Sequence, residues 1–229
     1  KEKGTVRKSK IIEYVMILMN YSAIILCAGK GSRSGLDYNK MLYRFGNQTV
    51  YQMTMKTFLN DPRCKQLVVV TKADEITDLK QLVTDKRIVY VYGGKERQDS
   101  VYNGLQVVDQ DHVLIHDGAR PYITTEKIDD LLLCLKEYDA CLLMVPVKDT
   151  IKLCCDDTVE VTLPRARLMQ AQTPQAFKTS LIKVCYQQAQ DSGFIATDDA
   201  SLVEEFSTAP VKVVIGSYEN IKITTPEDL

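Results

Sequence analysis

Three glycines with cations set among them, in the stretch SAIILCAGKGSRSG at positions 22–35, are the first residues whose types and spacing could do chemistry. Gly29, Gly31 and Gly35 remove side chains where a short aliphatic run ends, while Lys30, Arg33 and, just beyond the loop, Lys40 supply positive charge. Bared backbone N–H groups and cations together suit a polyphosphate. An ordinary strand-to-helix turn with solvated basic side chains fits the same glycines, and the loop alone leaves both readings open. Spacing excludes two better-known phosphate loops. The dinucleotide loop runs G-x-G-x-x-G with an acid about twenty residues later, whereas these glycines run G-x-G-x-x-x-G and Met55 stands near that distance. The loop G-x-x-x-x-G-K-[ST] occurs nowhere in the chain.

Other candidates lie farther along. In HDGARP, Asp117 precedes Arg120 by three positions; an acid can hold a metal-bound polyphosphate while a base holds a second anion. A plain aspartate–arginine pair stabilising the loop fits the same spacing. Asp99 and Ser100 follow Gly93-Gly94 and open a helix, where they offer partners to a ligand or simply cap the helix. Lys222 in NIKIT lies beside the last strand. Nothing in the pattern suggests a serine, cysteine or histidine nucleophile. A phosphate nucleophile needs none, because it carries roughly two charges near neutral pH. Catalysis then reduces to alignment and charge neutralisation, work for Arg, Lys and Mg2+.

These residues need elements to position them. Residues 23–26, 66–71, 87–93, 112–117 and 140–147 are short apolar runs that predict strands covered on both faces. Residues 124–138 predict a helix, with Ile128, Leu131, Leu132 and Leu135 on one face and threonines at its start. Helices are also expected at 178–191 and 198–206, with a strand at 211–215. Such alternation implies an α/β fold, a mainly parallel sheet with helices on both faces. Ligands then sit beyond the carboxyl ends of the strands, which brings together the opening loop, YGGKERQDS and HDGARPY. Residues 148–176 break the rhythm with two extended runs around CDDT, read as a protruding β-hairpin. Its alternating Ile151, Leu153, Val159 and Val161 would lie bare unless a second copy covered them, which implies a homodimer.

The chain's 229 residues, 45% of them apolar, can bury one substantial core. A net charge of −1 from 29 basic and 30 acidic residues argues against nucleic acid as a partner. Seven cysteines without a C-x-x-C pair fit reduced thiols in a cytoplasm. Residues 1–18 are read as a non-native or disordered extension; their apolar run IIEYVMILM is broken by Glu13 and too short to span a membrane.

Seven motifs in order, CAGKGSR, GGKERQDSV, HDGARP, VKDTIK, QAQTPQAF, TDDASLVE and NIKITTPEDL, resemble the 2-C-methyl-D-erythritol 4-phosphate cytidylyltransferase family of the non-mevalonate isoprenoid pathway. The resemblance spans about residues 21 to 229. It implies CTP and methylerythritol 4-phosphate as substrates, the CDP-linked product and pyrophosphate, and Mg2+ as cofactor. It also implies one Rossmann-like nucleotidyltransferase domain over 19–229, whose arm (about 148–172) is exchanged across a homodimer. Residue by residue, it makes Arg33, Lys40, Arg165 and Lys222 catalytic, with Arg33 and Lys40 at the α-phosphorus. Ala28, Gly29, Gly31, Gly94 and Ser100 would hold the nucleotide; Asp117, Gly118 and Arg120 would touch nucleotide, metal and substrate, with Asp117 on the metal. Thr150, Thr173, Arg165 and Lys222 would position the polyol phosphate. Asn39-Lys40-Met41 departs from the family's Pro-Lys-Gln, which bears on the rigidity of that segment. Lys95 stands where an acid is common, Cys27 replaces an alanine, and the family pattern continues past PEDL into a closing helix. A sibling family acting on ribitol 5-phosphate shares the CTP loop, but HDGARP and TDDASLVE fit it less well. A CTP-binding module without turnover would not need Arg33, Lys40 and Lys222 as transition-state cations.

Overall fold

The computed structural model describes residues 19–29 and 35–229, so the terminal extension and the loop positions Gly31 and Arg33 lie outside the described residues. Among these, β1 (Tyr21–Leu26), β4 (Cys64–Thr71), β5 (Ile88–Tyr92), β6 (His112–Asp117), β7 (Ala140–Pro146), β10 (Met169–Lys178) and β11 (Val211–Ile215) form one sheet in the order β11-β7-β10-β6-β1-β4-β5. A two-strand ribbon, β2 (Arg44–Phe45) with β3 (Gln48–Thr49), leads into the first helix. Pairing is parallel from β6 through β1 and β4 to β5, and parallel again between β7 and β11. The expected α/β architecture is therefore observed.

Helices cover both faces. Ile25, Leu67 and Val69 pack with α1 (Val50–Leu59), α2 (Ile76–Leu82) and α4 (Thr125–Cys134). Ile24, Val68 and Val70 point the other way, onto α3 (Arg97–Leu105), α5 (Thr179–Ser192) and α6 (Asp199–Phe206). Adjacent residues of one strand thus fill two cores, which is why these strands read as unbroken apolar runs. Each large side chain so buried contributes about 1.5–3 kcal/mol. Local signals fix the helix starts. Thr49 and Gln52 form a reciprocal capping box for α1, and Thr124 accepts from Lys127 N to start α4. The helix expected over 124–138 ends at Cys134, and residues 135–138 close it in tight turns.

One expectation needs correcting. Residues 169–176, read as part of the segment 148–176 that leaves the body, belong to the ten-residue strand β10 (Met169–Lys178), antiparallel to both β6 and β7 inside the sheet. Its glutamines and Pro174 hid it, since proline and polar residues seldom enter a central strand. The glutamines are paid for by internal partners: Gln175 donates to Asp198 at 2.8 Å and accepts from Ala200 N at 2.8 Å, and Gln172 donates to Ser217 O at 2.8 Å. The protruding hairpin is therefore shorter, β8 (Lys152–Cys155) with β9 (Thr158–Thr162), and pairs only with itself within the sheets. Leu153, Val159 and Val161 are exposed on it.

Candidate active site

The carboxyl ends of β1, β4, β5 and β6 open onto a cleft of about 750 Å3. Beyond β1, Cys27 N–H still donates to Val70 O at 2.8 Å, so the chain runs straight to Ala28 and Gly29 before the loop begins. A Cβ on Gly29 would meet none of the described residues within 4 Å. Opposite, Gly93 and Gly94 are forced by crowding: a Cβ there would fall 2.6 Å from the Ala28 Cβ and 2.2 Å from the Asp99 Cβ respectively. Ser100, only 6% exposed, accepts from Gly94 N at 3.0 Å and donates to Glu96 O at 3.1 Å. Its hydroxyl holds the Gly93-Gly94 loop against the cleft.

Asp117 ends β6 and lines the cleft, surrounded by cations. Lys222 Nζ lies 2.7 Å from its carboxylate, Arg97 Nε 3.4 Å and Arg120 Nε 3.8 Å. Burial alone would raise its pKa, but Arg97, Lys222 and Arg120 outweigh burial and hold the carboxyl well below the usual carboxylate range. Arg97 is fixed from behind. Its two terminal nitrogens reach the carboxylate of fully buried Asp199 at 3.0 and 2.8 Å, and Asp199 also accepts the Tyr186 hydroxyl. Burial works against the guanidinium, yet Asp199 and Asp117 keep its pKa above the ordinary value. The sequence reading missed Arg97 and Asp199, though both sit inside quoted motifs, GGKERQDSV and TDDASLVE.

Behind Asp117 is an internal lock. Arg120 O can only accept, so the His116 Nε2 that lies 3.1 Å from it carries the proton. Nδ1 then accepts from the Thr173 hydroxyl at 3.1 Å, and the same oxygen accepts Asp117 N–H at 3.0 Å. Burial pushes His116 down to about 4 and keeps it neutral. Arg120 donates to Asn220 O at 2.7 Å, and its buried Nε has no hydrogen-bond partner among the described residues. Burial lowers its pKa. Gly118 allows the turn after Asp117, because a Cβ there would fall 2.9 Å from Leu26 O and 3.0 Å from Cys27 Sγ.

Lys40 lines the cleft from the start of a short 3-10 turn, Lys40–Leu42. Asn39 caps that turn with φ −64°, near the value a proline would fix covalently. Ala28, Gly29, Lys40, Gly94, Ser100, Asp117 and Lys222 therefore share one cleft. Thr173 is buried behind it and Arg120 and Gly118 flank it. Thr150 and Arg165 do not line it: both are exposed beside the hairpin, where Arg165 donates to Lys148 O at 2.7 Å. Among the described residues no group of three or more His, Cys, Asp or Glu could hold a metal ion. A lone ionised carboxylate suits an ion that completes its shell with substrate phosphates and water.

The family model for 2-C-methyl-D-erythritol 4-phosphate cytidylyltransferase (IspD) matches residues 21–229. The chain belongs to this family. It is 44% identical over 216 residues to the 2-C-methyl-D-erythritol 4-phosphate cytidylyltransferase of Geobacillus kaustophilus, covering 92% of this chain and 94% of that one. The same named enzyme of Clostridioides difficile is 44% identical over 215 residues, covering 91% and 90%. The crystal structure of the 4-diphosphocytidyl-2C-methyl-D-erythritol synthase of Anaerococcus prevotii superposes with a TM-score of 0.81 at 35% identity, covering 91% of this chain and 94% of that one. The chain is accordingly a CTP-dependent cytidylyltransferase that uses 2-C-methyl-D-erythritol 4-phosphate in isoprenoid biosynthesis, in a family that works with a divalent metal. Among the described residues, no helix is long and apolar enough to cross a membrane.

Proposed function

We propose that the cleft holds CTP with its base against Ala28, Gly94 and Ser100 and its triphosphate along Gly29 and Gly31, and that Asp117 is the protein ligand of Mg2+. The observation that carries this reading is the Asp117 carboxylate, 10% exposed yet kept ionised by three cations at the edge of the cleft. Mg2+ bound there would neutralise triphosphate charge. An oxygen of the substrate phosphate attacks the α-phosphorus; the new P–O bond forms as the bond to the β-phosphate bridge breaks, and that electron pair departs with pyrophosphate. Lys40 and Arg33 take up the charge that grows at the α-phosphorus, while Lys222 and Arg120 hold the incoming phosphate. That phosphate carries about 1.5–2 charges at pH 7, so no side chain has to accept a proton. His116 could not serve: it is fully buried and both ring nitrogens are engaged.

The hairpin, in this reading, serves a second subunit. Its exposed Leu153, Val159 and Val161 would be covered in a homodimer, and Thr150 and Arg165, which do not line their own cleft, would complete the partner's polyol-phosphate site. Free thiols at all seven cysteines and a near-neutral net charge fit a cytoplasmic enzyme of small-molecule substrates. Co-expressing Lys40→Ala with Arg165→Ala tests the assignments together. If the arm acts in trans, purified heterodimer has one intact pocket and about half of native pyrophosphate release, a consequence of two-fold symmetry. No recovered activity in the heterodimer would refute it.

A further inference from the structure

Asn39 and Glu75 join the base of the glycine loop to the end of β4, and we propose that this pair is the positioning device for Lys40. Asn39 is 7% exposed and every polar group of its side chain is engaged. Nδ2 donates to Cys27 O at 2.9 Å and to Glu75 Oε2 at 2.8 Å, while Oδ1 accepts from Met41 N at 3.0 Å. Glu75 in turn is tied to the strand end: Oε2 accepts from Thr71 Oγ1 at 3.0 Å and Oε1 takes Lys72 Nζ at 2.9 Å. One amide therefore pins three things at once: the residue where the chain leaves β1 toward Ala28-Gly29, the loop after β4, and the first turn around Lys40.

The turn is three residues long, Lys40–Leu42, and a single helical turn is poorly stable on its own. Among its anchors are the cap from Asn39 Oδ1, the Leu42 N to Asn39 O bond at 2.9 Å, the Tyr43 N to Lys40 O bond at 3.1 Å, and the buried Met41 side chain. Two of those four run through Asn39. With both amide hydrogens donated internally and Oδ1 turned to Met41 N, Asn39 acts on catalysis through the backbone of the next residue. The inference rests on the reading of Lys40 as a transition-state cation, for which misplacement by about 1 Å costs as much as a hundredfold in rate.

Asn39→Asp tests it. The change keeps the shape and the acceptor for Met41 N but removes both donors and sets a second carboxylate where Glu75 now lies 2.8 Å away. We expect kcat to fall about ten- to a hundredfold with KM for CTP within about threefold. Adding Glu75→Gln restores an amide–carboxylate pair of reversed direction and recovers most of the lost kcat. Glu75→Gln alone, which keeps an acceptor for Asn39, loses less in the same direction, and melting temperatures of all variants are measured alongside. In a Lys40→Ala background, Asn39→Asp lowers kcat by no more than about twofold, because the lysine it positions is gone. Losses that multiply in that background, a double variant that recovers nothing, or an effect confined to KM would each overturn the proposal. Near-native turnover of Lys40→Ala by itself would instead overturn the role given to Lys40, and is read from that variant alone.

Discussion

Removing the carboxylate of Asp199 is expected to damage both folding and the orientation of Asp117. The side chain is fully buried, takes both terminal nitrogens of Arg97 at 3.0 and 2.8 Å, and accepts the Tyr186 hydroxyl. Asp199→Ala leaves a guanidinium and a buried phenol without their shared partner. Deleting one member of a buried ion pair costs about 3–5 kcal/mol. The Arg97 side chain is 32% exposed at the cleft, where water can reach it, which places its share at the lower end of that range. Tyr186, 1% exposed, has no such access; its stranded hydroxyl adds about 1–3 kcal/mol. The sum is about 4–6 kcal/mol, or a fall in Tm of about 8–24 °C for a chain of this size. Urea unfolding with an unchanged m value measures it. The freed Arg97, already 3.4 Å from Asp117, is then expected to swing toward that carboxylate and lower kcat. A stability loss below about 1 kcal/mol would refute the buried-pair argument, and native kcat at reduced stability would show that Arg97 does not orient Asp117.

Further outcomes follow from the same contacts. Gly118→Ala puts a Cβ 2.9 Å from Leu26 O and is expected to cost about 1–3 kcal/mol by urea unfolding; native stability would contradict the crowding. His116 is held at about 4 in the folded chain against an ordinary 6.5. As pH falls through that window, the unfolded chain takes up a proton that the folded imidazole refuses. Stability should therefore be lost on acidification, by up to about 3 kcal/mol. His116→Gln should flatten the dependence of the urea midpoint on pH there, and an unchanged slope would refute it. Ser100→Ala strands Gly94 N–H, so KM for CTP should rise about three- to tenfold while the preference for CTP over UTP narrows. A lowered Tm with unchanged preference would reduce Ser100 to a loop support.

What the sequence made legible depends on how local each determinant is. Strands such as β4 and β6 are covered on both faces, so their aliphatic runs announced them without knowledge of their neighbours. Strand β10 could not be read in that way, because what lets Gln175 enter a core is Asp198 and Ala200 N, more than twenty residues away. The same holds at the site. Gly29, Gly94 and Asp117 stand at strand ends and in turns, and Ser100 in the first turn of α3, places that composition marks. Arg97 and Asp199 are 102 positions apart, and only the fold, which brings the first residues of α3 and α6 within hydrogen-bond distance, reveals that one fixes the other. Asn39 is an intermediate case. Its departure from a proline pattern was visible, but the hydrogen bonds that hold its φ at −64° were not.

The distribution of charge shows how a near-neutral chain can carry an anion site. The net charge of −1 spreads over 229 residues and argues only against broad electrostatic attraction to nucleic acid. Around Asp117 the carboxylates are enclosed by cations. Arg97, Lys222 and Arg120 surround Asp117, and the second carboxylate, Asp199, is fully buried behind Arg97. Three cations against two carboxylates leave this cluster positive. Lys40 and Lys95 also line the cleft, Glu96 offsets one charge there, and Lys72 is balanced by Glu75. Low-dielectric walls focus that excess toward the opening and raise the local concentration of an anionic nucleotide. Asp199 contributes to this by its position as much as by its charge. It neutralises Arg97 from the interior, so desolvating the guanidinium is tolerable, yet it presents no negative surface to the triphosphate. A further carboxylate on the cleft side, screened by water, would stabilise Arg97 less and would repel the substrate.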